Sequence, residues 1–210
     1  MQYFISVIIF GDSGIDKLKN LRYFPPYRSK LRDEQLGATS AFYQCEINMN
    51  SIQFHIIDIG QQTRLTPLRM KSIQNASGCL LFFDVKNEDS FFHMKNCIEE
   101  LWRNNKRGVV PMVILGNQND SFDDITISQE RIRKYVRGLN NIVSDYGFEV
   151  QYLETSVDIG YNIDKAFRLI GLQHIEAIQS ERLKLDSTVP TYYWFNGMNY
   201  EFEKFSPKLD

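Results

Sequence analysis

Several polar runs, each following an apolar stretch, carry residue types that can handle a charged ligand. After the apolar residues 4–10 the chain reads Gly11-Asp12-Ser13-Gly14-Ile15-Asp16-Lys17-Leu18. Glycines and a lysine between a strand and a helix can cradle phosphate. The backbone N–H groups point at the oxygens, and the lysine reaches the outer ones. The full spacing for that chemistry is G-x-x-x-x-G-K-[ST], with the hydroxyl on Mg²⁺. Gly11, Ser13, Gly14 and Lys17 suit the task, whereas Asp16 stands at the second glycine and Leu18 at the hydroxyl. Taken alone, the run is equally an ordinary strand–turn–helix connection with a surface lysine. Further on, Asp58 precedes Gly60-Gln61-Gln62, Asn117-Gln118-Asn119-Asp120 follows a third apolar run, and Thr155-Ser156-Val157-Asp158 follows a fourth. Asn and Asp at such places also bond their own backbone in turns and need no ligand to do so.

The elements that must position these residues alternate between strand and helix. Residues 4–10, 78–85, 109–115 and 148–155 read as buried strands, being short and almost wholly apolar. Residues 42–49 and 52–58 read as a hairpin around Asn48-Met49-Asn50-Ser51. A helix is expected from Lys17. Another spans 87–106, with Phe91, Met94, Ile98 and Leu101 on one face. A third runs from a Ser128 cap to about 146, and a fourth starts at an Asn162 cap with Ile163, Phe167 and Ile170 inward. Apolar strands separated by helices predict an α/β domain with a mostly parallel sheet covered on both faces. Ligands of such sheets sit at the C-terminal strand ends, where the polar runs fall.

With the order established, the runs resemble the motif set of the Ras superfamily of small GTPases, closest to its Rab branch. Residues 11–18 are similar to GDSGVGKS, and Asp58-Ile59-Gly60-Gln61-Gln62-Thr63-Arg64-Leu65 to DTAGQERF. Phe83-Asp84-Val85-x-Asn87-x-x-Ser90-Phe91 resembles YDVTNxxSF. Ile114-Leu115-Gly116-Asn117-Gln118-Asn119-Asp120 resembles VGNKxD, and Leu153-Glu154-Thr155-Ser156-Val157-Asp158-x-Gly160-x-Asn162 resembles ETSAKTGxN. The resemblance spans residues 4 to about 175. It implies a P-loop NTPase G-domain with a six-stranded, mostly parallel sheet and about five helices, over residues 1–182, followed by an extension over 183–210.

The resemblance also implies roles. Gly11, Ser13, Gly14 and Lys17 would hold the phosphates of GTP or GDP. Asp120 would accept two hydrogen bonds from the guanine N1 and N2 groups, a charged bidentate contact of high geometric specificity. Asn117 would link the base loop to the phosphate loop. Ser156 would steady the base loop, and the Val157 N–H would reach guanine O6. Gln118 and Asp158 replace the two lysines whose stems lie along the base, so stacking and positive charge are lost. Asp58 is the weak remainder of a metal site. Leu18 replaces the Mg²⁺ hydroxyl, and an alkyl group cannot ligate a hard cation. Asp16 brings a carboxylate to an anion site, where like charges a few ångströms apart repel by several kcal/mol at an effective dielectric of ~20. Gly37 falls at the switch threonine, with Thr39 two residues on. Gln62 is the water-orienting glutamine in one register and Gln61 in the other. By resemblance the chain is a GTP hydrolase; by its substitutions it is a slow or inactive one with a doubtful Mg²⁺ site. Three readings follow: a pseudo-GTPase serving as an interaction module, a divergent switch in intracellular or ciliary trafficking, or a nucleotide-locked protein.

Composition narrows the partners. The chain has 210 residues, 43% hydrophobic, and a formal charge of −2 with no long basic run, which argues against nucleic acid or an anionic membrane surface. Cys45, Cys79 and Cys97 lie in apolar stretches and read as reduced core residues of an intracellular, cytoplasmic protein. His55, His93 and His174 have no ligand spacing. Gln2 at the second position and Ser206-Pro207-Lys208-Leu209-Asp210 at the end leave no myristoyl or prenyl anchor to expect. Residues 192–205 hold seven aromatics, among them Trp194 and Phe195, with a turn expected at Asn196-Gly197. The expectation is protein docking through the switch-region surface and residues 189–205.

Overall fold

The computed structural model describes residues 1–11, 28–33, 38–59, 67–118, 126–156, 158–180, 194–195 and 198–199. Residues 28–33, 38, 39, 68 and the last two pairs are described in backbone alone. The strands are β1 (Gln2–Phe10), β2 (Arg28–Asp33), β3 (Ala38–Ile47), β4 (Asn50–Asp58), β5 (Gly78–Asp84), β6 (Met112–Asn117) and β7 (Gln151–Thr155). The helices are α1 (Pro67–Asn75), α2 (Glu88–Asn104), α3 (Gln129–Val143) and α4 (Ile163–Gln179).

One sheet runs in the order β2-β3-β4-β1-β5-β6-β7. The β1–β4, β1–β5, β5–β6 and β6–β7 pairs are parallel, and β2–β3 and β3–β4 antiparallel. Strands β1 and β3–β7 are the six-stranded, mostly parallel sheet that the sequence implied, and β2 extends it by one edge strand. Strand β2 reads Arg28-Ser29-Lys30-Leu31-Arg32-Asp33, with no apolar pattern, and enters the sheet through backbone pairing to β3. The helix expected from Lys17 lies outside the described residues.

Side chains alternate across β1, which explains its unbroken apolar run. Ile5, Val7 and Ile9 join Phe54, Phe82, Phe167 and Ile170 beneath α4. Ile8 and Phe10 join Phe83, Phe91, Met94, Ile132 and Leu139 beneath the other helices. Both faces are therefore covered, as a parallel sheet requires. The hairpin between β3 and β4 turns on Asn48 and Met49, with φ of 50° and 60°. Positive φ at both central residues is the geometry whose twist matches the flanking strands.

Three expected boundaries move for identifiable reasons. Strand β7 starts at Gln151 and not at 148, because Asn140 of α3 takes both backbone groups of Val150, at 2.7 and 3.0 Å. Strand β6 starts at Met112, after Pro111, which has no N–H to donate. Helix α3 stops at Val143, and a tight turn at Ser144–Tyr146 ends on Gly147 at φ 73°. The cysteines are free and buried, as expected. Trp194–Phe195 pairs with Met198–Asn199 in a separate two-stranded sheet. The turn expected at Asn196-Gly197 itself lies outside the described residues.

Candidate functional site

Parallel register brings the ends of the central strands into one row. Ile9 pairs with Asp58, Phe10 with Leu81, Asp84 with Asn117, and Asn117 with Thr155. Gly11, Asp58, Asn117 and Ser156 thus emerge on the same edge of the sheet, although they are up to 145 residues apart in the chain. Ser13, Gly14, Lys17, Gln61, Gln62, Asp120 and Val157 lie outside the described residues, as do Asp16, Leu18 and Gly37. Thr39 is held inside β3, opposite Asp58.

Gly11 opens the phosphate-loop run at φ +134°, and a Cβ there would lie 2.5 Å from the Phe82 carbonyl oxygen. Only glycine combines that dihedral with so close an approach. At Gly116 the constraint is side-chain packing alone: an added Cβ would meet the Tyr152 hydroxyl at 2.5 Å, so Tyr152 would have to shift. Burial pushes the Tyr152 phenol well above its ordinary pKa, so it stays neutral beneath β6.

The segment resembling YDVTNxxSF does structural work. Asn87 caps α2, its Oδ1 accepting from the N–H groups of Asp89 at 2.9 Å and Ser90 at 3.2 Å. The Ser90 hydroxyl accepts from the Asp84 N–H at 2.9 Å. Phe91 meets Phe83 edge-on, with centroids 5.2 Å apart. These contacts lock the end of β5 to the start of α2.

The base end is tied in the same manner. The Gln118 N–H donates to the Thr155 carbonyl at 2.8 Å, joining the ends of β6 and β7. Thr155 Oγ1 donates to the Tyr161 carbonyl at 2.7 Å, and the N–H groups of Gly160 and Tyr161 close back on the Ser156 carbonyl. Asn162 does not cap α4 as expected. It sits at φ 62° without a side-chain cap bond and donates to the Glu154 carbonyl at 2.8 Å instead. The loop becomes an arch over β7, with Ser156 at its foot.

Two buried polar atoms on this arch and its neighbour, Ser156 Oγ and Gln118 Nε2, have no hydrogen-bond partner among the described residues. Unsatisfied buried polar atoms are costly, and these two, next to the strand ends, are atoms that a polar ligand could complete. A purine base offers ring and exocyclic donors and acceptors of that kind. The base end therefore fits the nucleotide that the resemblance implied.

Near the other end, α1 is anchored in a way that sequence reading missed. Arg69, 8% exposed, makes a two-pronged ion pair with Glu100 of α2 at 3.0 and 2.5 Å, and its guanidinium lies over Phe10. The Asn105 amide, just past α2, donates to the carbonyls of Ile73 and Ala76 at 2.8 and 2.9 Å. One end of α1 is thus held by charge and the other by a buried amide. Asn after an apolar helix was a readable cap signal for Asn105; nothing in the spacing pointed from Arg69 to Glu100. Among the described residues no group of three or more His, Cys, Asp or Glu side chains is placed to hold a metal, and no helix is long and apolar enough to cross a membrane.

Comparison with known proteins adds a separate line. The family model described as Ras family matches residues 6–176. Ras-related protein Rab-8A of Pongo abelii is 27% identical over 186 residues, covering 88% of this chain and 84% of that protein. Ras-related protein Rab-8B of Homo sapiens is 29% identical over 166 residues, covering 79% and 75%. GTP-binding protein YPT53 of Saccharomyces cerevisiae is 27% identical over 168 residues, covering 80% and 74%.

Proposed function

The chain belongs to the Ras family and is a Rab-like small GTPase by fold; on that premise we propose that it is a pseudo-GTPase, a G-domain retained as an interaction module of a larger intracellular assembly. The single observation behind this reading is the pair Asp16 and Leu18, which flank Lys17 where a phosphate site needs a glycine and a hydroxyl. Asp16 repels the anion that the loop would cradle, and Leu18 cannot ligate Mg²⁺.

Guanine nucleotide would be held at the base by Asn117, Asp120, Ser156 and Val157, and at the phosphates by Gly11, Ser13, Gly14 and Lys17. Bound there, it would supply a phosphoanhydride for hydrolysis, with Asp58 as the remaining metal-side group and Gln62 or Gln61 orienting water. The chain's own contribution is then mainly to bind and orient the base. A divergent working switch in intracellular or ciliary trafficking is the competing reading, favoured by the well-tied base end.

If the metal site is lost, Mg²⁺ contributes little to nucleotide affinity. Fluorescent GDP titrated with Mg²⁺ and with EDTA should give affinities within tenfold of each other, about 1.4 kcal/mol. A larger loss in EDTA would establish a working metal site and remove the basis of the proposal.

Protein partners would dock on the switch-region surface and on residues 189–205. Seven aromatics in so short a segment need burial, and Trp and Tyr serve well as interface anchors. Cutting the chain after Ser187 should abolish co-purification of partners at little change in melting temperature. Wild-type partner yield from the truncated chain would contradict the docking role.

A further inference from the structure

The outer surface between α2 and α3 carries a groove of about 490 Å³ that plays no part in the nucleotide site. Its apolar floor is made by Phe91, Tyr135 and Leu139, and Ile142 forms one rim at 50% exposure. Phe92, 52% exposed, lies outside that lining, against Lys95 and Arg131.

Three cations border this floor, Lys95, Arg131 and Lys134, and no acid lines it. Lys95 Nζ hovers 4.8 Å from the ring centres of Phe91 and Phe92 and 5.0 Å from that of Tyr135. Arg131 faces Phe91 and Phe92 and is ion-paired to Glu88 at the upper end. Neither Lys95 nor Lys134 has an ion-pair partner among the described residues. Helix α3 adds Arg133 and Arg137 and bears only Glu130 as an acid.

Gly138 supplies an independent observation. Glycine inside a helix costs roughly 0.5–1 kcal/mol relative to alanine. Close packing within the fold does not explain it, because a Cβ at Gly138 would meet nothing within 4 Å. The missing side chain leaves the backbone of α3 open to the groove, where another backbone can come close.

We propose that this groove docks an acidic amphipathic helix of a partner protein. The apolar stripe of that helix lies along Phe91, Tyr135, Leu139 and Ile142, its backbone crosses over Gly138, and its carboxylates reach Lys95 and Lys134. A trough between two helices receives a third by ridge-into-groove packing. The unpaired lysines set the sign of the partner's charge. Anionic lipid headgroups would satisfy the lysines but set no apolar stripe against Phe91, Tyr135 and Leu139, so the apolar lining together with the open backbone at Gly138 favours the helix.

A random-peptide phage library panned on the full chain, with counter-selection on Gly138→Phe, tests the proposal. Enriched peptides should carry Asp or Glu beside apolar residues at helical spacing. Synthetic copies followed by fluorescence anisotropy should bind the wild type and lose at least about tenfold, or ~1.4 kcal/mol, on Gly138→Phe and on Lys134→Glu, with thermal unfolding unchanged. If Gly138→Phe proves unstable, Lys134→Glu and Lys95→Glu carry the same comparison. Failure to enrich any peptide, selection of peptides without acids, or equal binding to the variants overturns the proposal. So does displacement by a synthetic peptide of residues 189–205, which would make this chain's own segment the occupant. Sedimentation of the full chain with phosphatidylserine vesicles, lost in Lys134→Glu, would assign the surface to a membrane and overturn it equally.

Discussion

The base end and the phosphate end of the same strand row are built on different terms. At the base end, the residues that hold the loops also hold the fold. Thr155 ties the arch to Tyr161, Asn162 reaches back to Glu154, and Gln118 joins β6 to β7. Changing any of them would loosen the sheet edge whether or not a ligand binds. At the phosphate end, Gly11 is demanded by the backbone, since its φ and the nearby Phe82 carbonyl admit no side chain. Asp16 and Leu18, at positions where a phosphate site uses a glycine and a hydroxyl, follow it in the sequence. On the proposed reading the phosphate end can carry Asp16 and Leu18 and still fold, whereas Thr155, Asn162 and Gln118 are tied into the sheet edge. Function and fold separate most easily where a residue's only duty is to touch the ligand.

That contrast can be broken from either side. The largest effect is expected at the base. If Asp120 accepts two charge-assisted hydrogen bonds from guanine, as proposed, replacing it with Ala should lower GDP affinity by about a hundredfold, ~3 kcal/mol. A titration showing no loss would mean that the base end is not a working site. The opposite change, at the phosphate end, should be a gain. Asp16→Gly with Leu18→Ser removes a repelling charge and restores an oxygen ligand, and GTP should bind more tightly by at least ~2 kcal/mol. Unchanged affinity in calorimetry would mean that something other than these two residues closes the pocket.

Much of the architecture was legible because both faces of the sheet are covered. A short run such as Cys79-Leu80-Leu81-Phe82-Phe83 suits a strand buried on both sides and little else. The Ser128 cap followed from capping rules, and the start of α2 near Asn87 from helical spacing. Several misses come from a side-chain partner that periodicity does not reveal. Asn140 withdraws Val150 from β7, the Glu154 carbonyl draws Asn162 away from capping, and Glu100 buries Arg69. Strand β2 was missed because an edge strand held by backbone bonds needs no apolar alternation. At the site, Gly11, Asp58, Asn117 and Ser156 were placed at strand ends by motif order alone. The unsatisfied Ser156 and Gln118 side chains were not legible, since only the folded arch buries them.

The central claim is that the phosphate end does no chemistry, and single-turnover hydrolysis of GTP by the purified chain tests it most directly. In this fold hydrolysis depends on a held γ-phosphate, a metal and an oriented water, and on the proposed reading Asp16 and Leu18 compromise two of those supports. The expected result is phosphate release no faster than the protein-free background. A clear burst that disappears in Gln62→Ala or in Gln61→Ala would contradict the account, and the variant that silences it would identify the glutamine in use.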